Sequence, residues 1–231
     1  MTRMLLMLTV MILVAYSATL TLAADISTED YQLRTEFLES GLDENQRHAR
    51  YWQNGWSTFY TVSAVAQAAL WIDADNNDDS INYGIGSLKS AAALADMLLR
   101  PHPGRHGAEL VRSLPEATPE QRHERLGYAE MVLRDSATRA ASRRTWQPHL
   151  KVIGVNLIAG ALIAGFGDEG DALTSTALGI AIGEAQIWTQ PTRYVEDWEK
   201  YQVVKADCFG QSTPRWQLVP IVGGIAIRGH F

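Results

Sequence analysis

Cysteine is almost absent: Cys208 is the single one in 231 residues. No disulfide can form within the chain, so its stability must come from packing. A lone thiol also excludes a zinc site built on several cysteines. Basic residues are in the minority, 20 against 26 acidic ones, which argues against a general nucleic-acid binder. There is no glycine-rich phosphate loop after a strand and no Gly-x-Ser-x-Gly elbow. The histidines are dispersed and suggest no metal cluster. Repeats and low-complexity segments are missing too. No cofactor is expected, and the prior for an enzyme falls.

What is there begins at residues 1–24. Arg3 precedes an apolar run, and small residues end it at Ala23 and Ala24. That order is the one of a secretory signal peptide, with an uncleaved anchor as the competing reading. The chain is therefore expected to be exported, periplasmic or envelope-associated. Without Arg3 the remainder holds 19 basic and 26 acidic residues. It is long enough for one sizeable domain. The expected division is a helical bundle over residues 25–212 and a tail over residues 213–231.

The bundle is expected to be mainly α, with five or six helices. Ser27 or Thr28 caps the first, and Glu29 and Asp30 lie in its first turn. Gly41 is expected to break it and Asp43 to cap a second helix, which turns apolar over residues 55–72. There Ala64 and Ala68 lie four apart. A third helix covers residues 81–100. Residues 100–119, rich in Pro and Gly, read as a long surface loop. Thr118-Pro119-Glu120-Gln121 is a strong helix start. It opens a surface helix to about Thr145 with a stripe of Leu126, Met131, Val132 and Leu133. A short amphipathic helix follows Pro191. In the tail, Gly223-Gly224 signals a two-residue turn between two strands, so a small β-hairpin is expected.

Residues 149–191 organise the whole. Two apolar runs, 152–167 and 172–188, flank the acidic turn 168–171. Each is long enough for about four turns of helix. Small residues four apart, Gly160 and Ala164 on one run and Ser175, Gly179 and Gly183 on the other, allow close approach. The reading is a glycine-packed antiparallel helical hairpin. Its pairing would place Asn156 within a turn of Glu184 and Val152 opposite Gln186. His149 and Lys151 would lie near Trp188. An acid inside an apolar run must be paired, hydrogen-bonded or protonated. Glu184 is then either a structural bridge that sets register or part of a polar pocket floor. The candidate ligand-binding residues are Asn156, Glu184, Gln186, His149 and Trp188.

Two further patterns carry chemistry. Asp73, Asp75, Asn77 and Asp79 alternate as in a calcium loop, but Asp78 and Gly84 occupy the positions that need Gly and Glu. A solvated turn is expected instead. Pro103-Gly-Arg-His106 and Ser142-Arg143-x5-His149 resemble pieces of the membrane-associated phosphatidic-acid phosphatase superfamily. That resemblance implies a histidine nucleophile, a second histidine as acid/base and Lys/Arg on phosphate. The chain departs from the pattern at Ala93, where a Lys is needed, and at Ile153, where an orienting acid is needed.

The apolar stretches also raise the question of membrane insertion, since a span needs about 20 residues. Lys89, Asp96 and Glu184 oppose it. So does charge: with an exported N-terminus, residues 100–151 would lie outside with half of the 20 basic residues, inverting the positive-inside rule. The leading expectation is a non-enzymatic envelope protein that binds a protein partner or an apolar small molecule. One alternative is an integral-membrane subunit of a larger assembly. The other is a hydrolase using His149 and Glu184.

Overall fold

The computed structural model describes residues 27–208, 215–221 and 224–230. The expected signal at 1–24, Gly223 of the expected turn and most of the link into the tail lie outside them. The described chain is a helical bundle. Its helices are α1 (Thr28–Ile72), α2 (Asn77–Leu99), α3 (Gly107–Ser113), α4 (Pro119–Arg143), α5 (Trp146–Phe166), α6 (Glu169–Trp188) and α7 (Arg193–Cys208). Strands β1 (Arg215–Ile221) and β2 (Gly224–His230) pair antiparallel, with Ile221 opposite Gly224. That register centres one residue earlier than a Gly223-Gly224 turn would.

Helix α1 runs for 45 residues, or roughly 68 Å at 1.5 Å per residue. Ser27 caps it by accepting from the Asp30 amide at 3.1 Å. The break expected at Gly41 does not occur. Glycine's poor helix propensity is overridden by packing against α7. The Asn45 amide donates to the Gly41 carbonyl at 2.8 Å and to Asp197 Oδ2 at 2.6 Å. Asp43 caps nothing and pairs instead with Arg112.

Because α1 is continuous, it joins two unlike halves. The polar half packs the first part of α1 against α3, α4 and α7. Its core holds Leu38, Leu42, Val111, Leu126, Leu133 and Tyr201, all at or below 2 % exposure. Between α4, α1 and α7, Glu130 receives Arg34, Tyr201 and Lys205. Burial pushes the Glu130 carboxyl up, but those donors outweigh it and hold it below the usual range. The capping box at Thr118 and Gln121 forms as the sequence indicates. Met131 lies outside the buried face of α4, which is carried by Leu126, Ala129, Val132, Leu133, Ala137 and Ala140.

Residues 100–119 are not a surface loop. A 3-10 turn (Pro103–Arg105) and α3 tuck inward, burying His102, Ala108 and Val111. Two glutamines of α1 make this possible by satisfying buried amides. Gln53 Oε1 accepts from the His102 amide at 3.0 Å, and Gln46 Oε1 from the Ala108 amide at 3.0 Å. Glycine is required at 107, where a Cβ would sit 2.6 Å from Val132 Cγ1.

The apolar half consists of the last part of α1 with α2, α5 and α6. Trp52, Tyr60 and Met97 form its buried core, with Trp56, Leu94 and Ile182 beside them. Helix α2 starts earlier than expected, because Asn76 caps it by accepting from the Asp79 amide at 2.9 Å. Asn77 and Asp79 therefore belong to helix rather than to a loop. Ser87 donates to the Ala64 carbonyl at 3.0 Å across α1 and α2.

The surface of this half is unusual. Over residues 51–72, 80–99, 152–166 and 172–188, no Asp, Glu, Lys or Arg is exposed. Phe59, Val62, Val65, Leu88, Ile158, Leu162, Leu173 and Leu178 are exposed instead. Helix α5 is long and apolar enough to cross a membrane by length and composition.

Candidate functional site

The expected hairpin exists as α5 and α6. Asp168 caps α6 by accepting from the Asp171 amide at 2.9 Å. A Cβ on Gly160 would run into Thr176, and one on Gly179 into Asn156. On Gly183 it would lie 2.5 Å from Val152 Cγ1. Three glycines are thus needed for close approach of the two helices. Ala164, expected on the same face, is exposed, and Ile163 is buried in its place.

The register differs from the expected one. Val152 lies against Gly183 rather than Gln186. This shift of three residues breaks the anticipated pocket floor into separate places. At the open end, His149 Nδ1 meets Glu184 Oε2 at 2.7 Å. Trp188 Nε1 donates to the same oxygen at 3.2 Å, and the His149 and Trp188 rings lie 5.8 Å apart. Gln186 faces α1 and α2, accepting from Tyr60 Oη at 3.3 Å and donating to Met97 Sδ at 3.1 Å. Asn156 is neither with Glu184 nor with Gln186.

Asn156 belongs to a polar layer that sequence reasoning missed. Lys89 of α2 reaches inward and donates to Asn156 Oδ1 at 3.2 Å and to Ser175 Oγ at 3.1 Å. Asn156 Nδ2 donates in turn to the Val152 carbonyl at 2.9 Å. Three helices meet here around one cation with neutral partners. The signal was present as a lone Lys in an apolar run, but a single chain does not say which helix receives it.

A groove of about 640 Å³ opens between α1 and α6. Tyr51, Trp56, Phe59, Leu178, Ile182 and Ala185 line it. Its polar end is at His48, whose Nε2 lies 3.2 Å from the Thr189 carbonyl, and at Trp56 Nε1, which donates to Thr189 Oγ1 at 3.0 Å. Arg47 stands over the Tyr51 ring at 5.6 Å.

A third buried polar cluster lies where the halves meet. His102 Nδ1 accepts from the Gly104 amide at 3.1 Å, and its ring lies 5.3 Å from that of Tyr194. Burial, and then the charges of Arg139 and His48, push the imidazole down to about 3. Burial also raises the Tyr194 phenol. A neutral His102 accepting through Nδ1 carries its proton on Nε2.

The residues of the phosphatase-like pattern are not joined. His106 meets Glu109 at 3.2 Å while His149 meets Glu184, and no hydrogen bond links the two histidines among the described residues. Nor do the described residues contain a group of three or more His, Cys, Asp or Glu able to hold a metal ion. No known family model matches the chain, and no curated protein matches it significantly.

Proposed function

We propose that this is an integral-membrane protein of the cell envelope, with its apolar half in the bilayer and its polar half at the membrane surface. Its role is non-enzymatic: a membrane-embedded subunit that binds a partner or an apolar ligand. The observation that carries this reading is the surface over residues 51–72, 80–99, 152–166 and 172–188, on which no Asp, Glu, Lys or Arg is exposed. A water-facing helix normally shows charge on its outer side, and apolar patches of this extent mark contact with membrane or partner.

The dimensions agree with a bilayer. Tyr51 to Trp71 on α1 and Trp146 to Phe166 on α5 each cover 21 residues, about 30 Å of rise from first to last and one hydrocarbon thickness. All of these rings are exposed, as is Trp188. Tyr51, Trp146 and Trp188 would form one interfacial belt, and Trp71 and Phe166 the other. Lys89 points inward to Asn156 and Ser175, as an ionisable residue within a membrane must.

The hydrolase alternative rests on the contact between His149 and Glu184. Their recorded partners are each other and Trp188, an arrangement that suits a register-setting bridge between α5 and α6. The β-hairpin is read as a tail appended to the bundle. The test is extraction of native membranes with alkaline carbonate, followed by flotation of purified protein with vesicles. Retention in the pellet and flotation are expected. Release by carbonate would sink the membrane reading and return the soluble binding domain.

A further inference from the structure

We propose that the groove between α1 and α6 holds one acyl chain of an anionic glycerophospholipid, whose phosphate is met by Arg47 and His48. The inference rests on the membrane reading above and names a ligand for it. The lining is apolar along its length, from Trp56 and Phe59 to Leu178 and Ile182. Its volume of about 640 Å³ falls in the usual range of small-ligand sites. Helices α5 and α6 close on each other through their glycines, whereas α1 and α6 leave this gap open along the face that would meet lipid.

Charge selects the headgroup. Arg47 is exposed and has no carboxylate partner among the described ion pairs; it lies over the ring of the groove-lining Tyr51. The carboxylates nearby in sequence are already engaged, Asp43 by Arg112 and Glu44 by Arg193. His48 is exposed beside it at the groove's polar end. A guanidinium offers several donors to a phosphate. An acyl chain lying against Trp56 and Phe59 would place its headgroup toward this end, at the level of the Tyr51 belt. A neutral hydrocarbon would leave Arg47 without an anionic partner, and a soluble anion would leave the aromatic channel empty.

The test uses the full chain purified in detergent and native mass spectrometry with added phosphatidylglycerol or phosphatidylcholine. The wild type is expected to retain phosphatidylglycerol in preference to phosphatidylcholine. Ala181→Phe, which fills the groove, should weaken retention of both. Arg47→Gln should erase the preference, a loss of about tenfold for a charge-assisted contact. Equal retention of the two lipids by the wild type would overturn the proposal, as would unchanged retention by Ala181→Phe. Should Ala181→Phe fail to fold, as seen by circular dichroism, the Arg47→Gln comparison decides alone. Vesicle flotation of the same wild-type protein is read separately. A protein that floats but shows no lipid preference loses the groove proposal and keeps the membrane reading. A protein that does not float loses the membrane reading, whatever lipid it retains in detergent.

Discussion

A Cβ on Gly183 would sit 2.5 Å from Cγ1 of Val152 and 3.3 Å from its Cβ. Val152 is β-branched and stiff at χ1, so it cannot swing aside cheaply and the helices must separate. Helix propensity alone favours Gly→Ala by about 1 kcal/mol. Overpacking opposes it by about 1–3 kcal/mol. Gly183→Ala should therefore lower stability, and Gly183→Leu more so. Gly154→Ala, with open space around its Cβ, should be neutral or stabilising. Thermal melts decide: a Gly183→Leu protein as stable as wild type removes the close-packed hairpin.

The hairpin was legible because glycines four apart, an acidic turn and two apolar runs all signal the same local structure. Its register was not. Counting outward from the turn treats the two helices as symmetric, whereas Val152 seats against Gly183 and His149 against Glu184. Proximity of His149 to Trp188 survived the shift; a joint site with Asn156 and Gln186 did not. The continuous α1 and the buried segment after Pro101 were hidden for a related reason. Gly41, Gly104 and Gly107 look like loop residues in sequence. Their partners, Asp197, Tyr194 and Val132, lie far away along the chain.

Lys89 and Asn156 are coupled through the layer between α2, α5 and α6. Lys89→Met would leave Asn156 Oδ1, which accepts from Lys89 Nζ at 3.2 Å, without that donor in apolar surroundings. An unsatisfied buried acceptor costs about 1–3 kcal/mol. Replacing both partners by apolar groups of similar shape is far less costly. The single variant should melt below wild type, and Lys89→Met/Asn156→Leu should recover most of the loss. A double variant that loses the sum of the two single losses would show that the pair is not coupled.

His102 sets a pH dependence with a definite sign. Its folded pKa is about 3 against 6.5 for the free side chain. Between those values the unfolded chain holds a proton that the folded chain lacks. Stability then rises with pH through the window and is lost as pH falls from 6.5 toward 3. The limiting slope for one group is about 1.4 kcal/mol per pH unit. Asp197, whose carboxyl is raised by burial, works in the opposite sense at the acid end. The upper part of the window, above the carboxylate range, is therefore the one to measure. His102→Asn keeps an acceptor for the Gly104 amide but no longer titrates. It should flatten the slope of denaturant-derived stability against pH there; an unchanged slope would assign the dependence to another group.

If the apolar half is inserted as proposed, its orientation follows from its two ends. Asn77 Nδ2 donates to the Phe166 carbonyl at 3.0 Å, and Asn82 Nδ2 to Asp171 Oδ2 at 3.1 Å. The turns after α1 and α5 therefore share one end. That end carries Asp73, Asp75, Asp78, Asp79, Asp168, Glu169 and Asp171, and neither turn contains Lys or Arg. The opposite end carries Arg47, Arg50, Arg100, Arg143, Arg144 and Lys151. The bias of Lys and Arg toward the cytoplasm then puts the polar half inside and the acidic turns outside. That arrangement requires that the chain after residue 24 is not exported, whereas a removed signal, or an uncleaved anchor with Arg3 inside, would leave the polar half outside. Asp75 on an acidic turn and Glu124 on α4 are both exposed. Each can be changed to cysteine in a Cys208→Ser background and offered a membrane-impermeant maleimide on intact cells. Asp75→Cys should label at once and Glu124→Cys only after lysis. The reverse pattern, with an N-terminus cut near Ala24, would mean that export outweighs the charge asymmetry and that the polar half faces outward.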